Sequence, residues 1–458
     1  MGENSSAMRS CLWISLESTR YDHTSLADGG STTPFLADLA VEDGSTSLGS
    51  CISHDIWTRS STASILTGLP PRRHGAWHDE AALPNDIRTI PEAFRVEGYR
   101  TVGISAIAQF SPSTGLSRGF DEFHEISSGN IHRTAPVKGL IRYITNLRSE
   151  SAGFTFDTGK HTTGPLNVEI AKKYLRNGPE PLFLYTHLAD SHHPYYSPRG
   201  YRNEVSNEAP LPVDDALSLT MQVSRNLHET IARQSVTREE MQSLRSLYAD
   251  CLAFVDDLVA ELVRAARKHL ENPIIVVTAD HGEQFGEDGL LAHMLIPNRA
   301  VTHVPMVVSG LGVPESQLVQ PADLIAALTN ELGVDHPVPV GKDPREHERE
   351  FAVTERSGKR ARQKLDLINS LGGRFEGDDI PEQDVVSIRT TEWRYETDLS
   401  EHEQLRTADE EPAAEPAVAA ELHERAGDWS SRYPKRETNE HVDFTDAQRE
   451  QLRDLGYL

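Results

Sequence analysis

Five short runs of unbroken apolar residues constrain the fold more than any other feature of this chain. They are CLWISL (11–16), TVGISA (101–106), PLFLYTHL (181–188), PIIVVTA (273–279) and VPMVVSG (304–310). Each is too short to span a membrane, and none alternates apolar and polar residues as a strand with one wet face would. Apolar on both sides, they fit parallel strands covered by helices on both faces. Helical patterns lie between them. The clearest opens at Thr237 with Glu240 three residues on, a capping box. It continues through Met241, Leu244, Leu247, Cys251, Val255, Leu258 and Leu262 at helical spacing and leads into the run at 273. Strand and helix in alternation predict an α/β chain with a doubly wound, mostly parallel sheet flanked by helices. Such sheets bind ligands beyond the carboxyl ends of their strands, so the residues just after each run are the site candidates.

Near residue 340 the pattern changes. Residues 1–340 read as the catalytic α/β domain and 341–458 as a smaller α+β piece. Within the latter, 385–397 reads as a strand pair, 398–440 as mobile surface structure, and the last residues as a short capped helix. A chain of 458 residues, 37% of them hydrophobic, can bury one large core with a smaller attachment. The 70 acidic residues outweigh 45 basic ones, mostly arginine, for a net charge of −25. That balance points to a halophile and away from nucleic acid as a partner. An anionic substrate would therefore need positive charge supplied locally, as a bound metal supplies it. Cys11, Cys51 and Cys251 are odd in number and widely spaced, which fits neither a disulfide framework nor a cysteine metal cage. The first apolar stretch, 11–16, is too short for a signal peptide or a membrane span, so the expected location is cytoplasmic.

Glu17 follows the first run, and Asp280 with His281 follows the fourth. A lone strand-end glutamate is more often a helix cap or a surface charge. Here carboxylates and an imidazole recur at the ends of separate strands, a donor set suited to Zn²⁺ or Mn²⁺. Thr58 precedes SSTASILTG, a short helical run ended by Gly68. A hydroxyl there faces bare N–H groups and the positive end of the helix dipole, which favours an anion. A plain N-cap is the simpler role for Thr58, and the two are compatible.

Four collinear motifs carry a family resemblance. LTGLPPRRHG (66–75), RGFDEF (118–123), HLADSHHPY (187–195) and TADHGEQFGEDGLLAH (278–293) resemble the signatures of the sulfatase branch of the alkaline phosphatase superfamily, and LRDLGYL (452–458) is similar to a common ending there. The chain departs from that pattern where the chemistry lies. Thr58-Arg59-Ser60-Ser61-Thr62 stands where sulfatases place a Cys or Ser that becomes formylglycine, and threonine cannot be so converted. Glu17-Ser18 replaces the usual paired aspartates, and SAIAQFSPSTG (105–115) lacks the usual Lys and His. Together these features are similar to phosphoglycerol and phosphoethanolamine transferases and related phosphodiesterases.

That resemblance implies one divalent ion, Mn²⁺, Zn²⁺ or Ca²⁺, held by Glu17, Thr58, Asp280 and His281, with Thr58 as nucleophile. It implies catalytic roles for His192 and His293 at the substrate oxygens or the leaving group. Arg20 and His187 become substrate-binding candidates, although Arg20 could instead pair with Asp22, and His187 could bond a neighbouring backbone. Asp190, His193 and His293 have the ligand types of a second ion. The expected activity is metal-dependent hydrolysis or transfer of phosphodiester or sulfate esters. The expected substrate is a small anionic ester of a sugar, lipid headgroup or aryl alcohol, selected by loops within 124–180 and by the C-terminal piece. The alternatives are a sulfatase acting without formylglycine and an inactive homologue that binds a glycan or lipid headgroup.

Overall fold

The computed structural model of the protein describes residues 8–127, 136–146, 149–151, 160–178, 181–202, 209–315, 318–373, 375, 380–455 and 457. Parts of the expected specificity loop within 124–180 lie outside the described residues.

Seven strands form the central sheet: β1 (Cys11–Leu16), β2 (Ser45–Ser47), β3 (Arg100–Ser105), β4 (Glu122–Glu125), β5 (Leu182–Leu188), β6 (Ile274–Ala279) and β7 (Met306–Ser309). Their order is β2-β7-β6-β1-β5-β3-β4. The pairs from β6 through β1, β5 and β3 to β4 are parallel. Strand β7 runs antiparallel to both neighbours, although its apolar run reads from sequence as one more parallel strand. The reason lies in its connection. After β6 the chain stays at the carboxyl end of the sheet through 280–305, with no long helix to carry it back, so it re-enters in the opposite direction. Strands β2 and β4 sit at the edges, and their sequences, STS and EFHE, carry no apolar run to announce them.

Helices α1 (Thr58–Thr67), α2 (Gly164–Asn177) and α3 (Arg238–His269) include the elements that position the site. The capping box of α3 forms as the sequence predicts: Thr237 Oγ1 accepts the Glu240 N–H at 3.2 Å and Glu240 Oε2 accepts the Thr237 N–H at 2.8 Å. Helix α1 is buried on every side despite its serines and threonines. Ser61 and Thr67 satisfy their hydroxyls on the backbone carbonyls of Asp55 and Ala63, which lets a polar helix pack into the core. Gly68 ends it in the left-handed conformation, φ 66°.

Residues beyond 340 build a second, four-stranded antiparallel sheet in sequential order: β8 (Ala352–Arg356), β9 (Val385–Arg389), β10 (Trp393–Thr397) and β11 (Glu403–Thr407). Residues 398–440, which read from composition as mobile surface, hold β11 and the helix Pro416–Arg432. Leu422, Ala426 and Trp429, at i, i+4 and i+7, bury against Val386, Ile388 and Tyr395. Charged neighbours dilute that stripe in the sequence without abolishing it. Two further helices matter here, α4 (Gly358–Ser370) and the capped terminal helix α5 (Asp446–Asp454). The second sheet is tied to the segment after α1 at Glu355 on β8, which accepts from Arg72 Nε at 2.5 Å and Arg72 N at 2.9 Å, and also from Trp429 Nε1 at 3.0 Å.

His54 makes one consequence of this packing measurable. It is fully buried, and its Nε2 accepts the Ala322 N–H at 3.2 Å, which requires that nitrogen to be unprotonated. Burial, reinforced by the Arg349 charge, depresses its pKa to about 3. A histidine with a depressed folded pKa contributes stability that is complete above its unfolded pKa, ~6.5, and is lost as pH falls below it. Each such residue steepens acid destabilisation by up to about 1.4 kcal/mol per pH unit. Melting temperature should therefore fall steadily between pH 6.5 and 4.5, and the fall should be shallower in His54→Gln. Parallel slopes for the two proteins would contradict this account.

Candidate active site

Strands β1, β5 and β6 end level, since Leu16 pairs with both Leu188 and Ala279. Glu17 is the next residue after β1, Asp280 and His281 follow β6, and His187 is the penultimate residue of β5. All four are fully buried. Ser18 adopts φ 49°, uncommon for a residue with a side chain, and its N–H thereby reaches Asp280 Oδ1 at 3.2 Å. The same oxygen accepts the His281 N–H at 2.9 Å. Asp280 Oδ2 has no hydrogen-bond partner among the described residues and lies 3.5 Å from His281 Nε2.

Thr58 is the first residue inside α1. Trp57 takes the N-cap position, and Thr58 does not cap the helix. Its hydroxyl donates to Glu17 Oε1 at 2.6 Å and lies 3.3 Å from His281 Nε2. His187 Nε2 meets Glu17 Oε2 at 2.5 Å, so this histidine faces the carboxylates rather than open space. Thus Glu17, Thr58, Asp280 and His281, distant in sequence, share one small volume, with His187 as a fifth member.

The donor chemistry of this volume fits a cation. His281 Nδ1 faces the Gly282 carbonyl at 2.8 Å and donates to it, so in the neutral ring Nε2 carries a lone pair. That nitrogen lies 3.3 Å from Glu17 Oε1 and 3.5 Å from the unpartnered Asp280 Oδ2. Burial raises the Asp280 carboxyl, and the Glu17 charge adds to this, to about 6. Burial would also lower His281, yet the Asp280 and Glu17 charges push it up to about 9. Burial alone would raise Glu17, but bonds to His187 and His281 hold it well below the usual carboxylate range. Electron-rich atoms gathered in a dry pocket repel one another unless a cation sits among them. Glu17, His187 and Asp280 each offer a ligand atom within 4.8 Å of the others.

A second cluster adjoins the first. His192, His193 and His293 also offer ligand atoms within 4.8 Å of one another, and the His293 ring centroid lies 4.5 Å from that of His281. Burial lowers the pKa of all three. Asp190 lines the same cavity but is not in this group: its Oδ1 accepts the Thr163 N–H at 2.9 Å, and His192 completes the trio. Arg20 also turns away. Its guanidinium pairs with Asp22 and with Glu287, each at 2.7 Å, and donates to the Glu283 carbonyl at 3.0 Å. Beside His192 and His193 opens a cavity of about 520 Å³, walled in part by Ile107, Tyr143, Leu166 and Tyr196 and by the Gln448 and Gln451 face of α5. This volume falls within the range of small-molecule sites. Sequence reading overlooked Tyr457, whose hydroxyl lies 2.8 Å from His293 Nε2 and 3.2 Å from His192 Nε2. Its only signal is the LRDLGYL ending, and nothing local marks a terminal tyrosine as part of a site.

This sheet, with its helical flanks, its small C-terminal antiparallel sheet and its strand-end cluster, defines the alkaline phosphatase/sulfatase class of α/β proteins. The family model for sulfatases matches residues 9–334, and the chain belongs to the sulfatase family. It is 22% identical over 305 residues to a sulfatase of Formosa agariphila, covering 58% of this chain and 57% of that protein. The chain spans about half the length of the curated relatives it matches. Among solved structures it resembles the phosphonate monoester hydrolase of Silicibacter pomeroyi, with TM-score 0.69, 18% identity, and 93% and 96% of the two chains covered. It also resembles a 2-O GAG sulfatase, with TM-score 0.66, 15% identity, and 94% and 99% covered. At these identities the structural likenesses establish the fold.

Proposed function

We propose that this protein is a metal-dependent hydrolase or transferase of phosphodiester or sulfate esters that uses Thr58 as its nucleophile. The observation that carries this reading is the Thr58 hydroxyl, buried and 2.6 Å from Glu17 Oε1, at the edge of a pocket rich in ligand atoms. Glu17, Asp280, His281 and Thr58 would hold one divalent ion, with His187 bonded to Glu17 beside them. When bound, the ion supplies positive charge that lowers the pKa of a neighbouring hydroxyl and offsets charge on a non-bridging oxygen.

The protein's own groups do the rest. Thr58 Oγ1 attacks phosphorus or sulfur in line, and its proton lies on the hydrogen bond to Glu17 Oε1. The ester oxygen departs with its organic group and takes a proton from the His192–His293 side, where one imidazole enters the step protonated against the pull of burial, leaves it neutral, and regains its proton from the incoming water or alcohol. Water or an acceptor alcohol then attacks the Thr58 ester and frees the hydroxyl. The 520 Å³ cavity beside His192 has room for a sugar, lipid-headgroup or aryl leaving group.

Membership of the sulfatase family supports a second reading, sulfate-ester hydrolysis by the same threonine. Sulfate monoesters and phosphodiesters share one negative charge and a tetrahedral centre. A panel of nitrophenyl phosphate, phosphodiester, phosphonate and sulfate esters, assayed with Mn²⁺, Zn²⁺ and Ca²⁺ in low and high salt, separates the readings. Greatest turnover of the diester is the expected result. A preference for sulfate would move the assignment to the second reading, and no turnover of any ester would leave a binding protein.

A further inference from the structure

The geometry points to Tyr457 as a positioning residue of the active site, one that holds His192 and His293 in their working orientation; this rests on the function proposed above. Tyr457 belongs to the C-terminal segment, nearly the whole chain away from Glu17, yet its hydroxyl stands between the Nε2 atoms of the two histidines, at 3.2 Å and 2.8 Å.

Tyr457 is firmly anchored. The Tyr457 carbonyl accepts from Lys364 Nζ of α4 at 2.9 Å, and its N–H donates to Leu452 O at 2.8 Å. Its ring buries among Ile56, Trp57, Ala108, Val301 and Leu452. Helix α5 is pinned in turn: Gln451 Nε2 donates to Ala106 O at 2.7 Å, its Oε1 accepts the Ala108 N–H at 3.1 Å, and Gln448 Nε2 donates to Glu125 Oε1 at 2.6 Å.

The hydrogen bonds give Tyr457 a defined task. His192 Nδ1 donates to the His193 carbonyl, so Nε2 of the neutral ring is an acceptor. The Tyr457 O–H donates to it and fixes the ring at its second nitrogen. The same oxygen accepts from His293 Nε2. One hydroxyl thus orients both imidazoles that face the leaving-group side. A packing role alone would need only the ring. An imidazole free to rotate loses the alignment that proton transfer requires, while ground-state binding in the cavity is untouched.

The test compares wild type, Tyr457→Phe and Thr58→Ala on whichever panel ester wild type turns over fastest. Tyr457→Phe keeps the ring and removes the hydroxyl. It is expected to lower kcat about 10–100-fold, to leave KM within about threefold, and to melt within about 2 °C of wild type. Wild-type kcat, a rise in KM alone, or faster turnover (as from removing a plug) would each overturn the proposal. If Thr58→Ala stays active, the nucleophile assignment fails by itself, and the kcat and KM of Tyr457→Phe still decide the role of the tyrosine. If wild type turns over none of the esters, the functional reading fails and takes this one with it.

Discussion

Thr58→Ala is expected to reduce turnover by at least about 10³-fold while the protein stays folded. The barrier rises because the atom that forms the new bond is gone, and water alone cannot reproduce its position. A loss of that size corresponds to about 4 kcal/mol of transition-state stabilisation. The fold should survive because the helix does not depend on this side chain. Trp57 occupies the N-cap, and the Thr58 hydroxyl bonds only within the site. Thr58→Ser keeps an oxygen in place and should retain much more activity than the alanine variant. Single-turnover labelling of wild type, but not of Thr58→Ala, by a slow ester would locate the covalent step. Near-normal kcat for Thr58→Ala, measured alongside an unchanged melting temperature, would show that another group attacks.

Removing divalent metal is expected to abolish activity and lower the melting temperature, and re-adding Mn²⁺ or Zn²⁺ should restore both. Binding to the folded state alone contributes about 2.7 kcal/mol when free metal exceeds its Kd a hundredfold. The buried carboxylates give this prediction a sharper form. Without a cation, Asp280 and Glu17 face one another in a dry pocket, and Asp280 is already pushed up to about 6 by burial and the Glu17 charge. Asp280→Asn should therefore destabilise the metal-loaded protein more than the stripped one, because only the loaded state loses a ligand, while the stripped state trades repulsion from Glu17 against attraction to His281. Thermal melts of four samples, wild type and variant with and without EDTA, decide the point. An equal drop for Asp280→Asn in both states would mean the aspartate acts through hydrogen bonds rather than through charge on an ion.

Much of the site is legible in the amino-acid sequence. Glu17 and the Asp280-His281 pair announce themselves because strand ends follow directly from apolar runs, and doubly wound sheets place ligands there. Thr58 is legible as a hydroxyl at a helix start, although only the backbone geometry shows Trp57, not Thr58, taking the cap. Arg20 shows the opposite limit. In sequence it is either a substrate-binding cation or a partner of Asp22; in space Asp22 and the distant Glu287 both take its guanidinium. Asp190 shows the same limit, since its Oδ1 accepts the Thr163 N–H and His192 stands in the histidine trio instead. Which partner a charged side chain chooses depends on neighbours far away in the chain.

By itself, then, the order of residues determined the α/β class, the long capped helix and the identity of the residues at the strand ends. Those properties are local, set by apolar periodicity, capping side chains and chain direction over a few residues. The direction of β7, the ordering of 398–440, the His192–His193–His293 cluster and the reach of Tyr457 into it were decided only by tertiary structure. Each of them depends on which distant surfaces bury one another, and burial energy is shared among contacts that no short window of sequence contains.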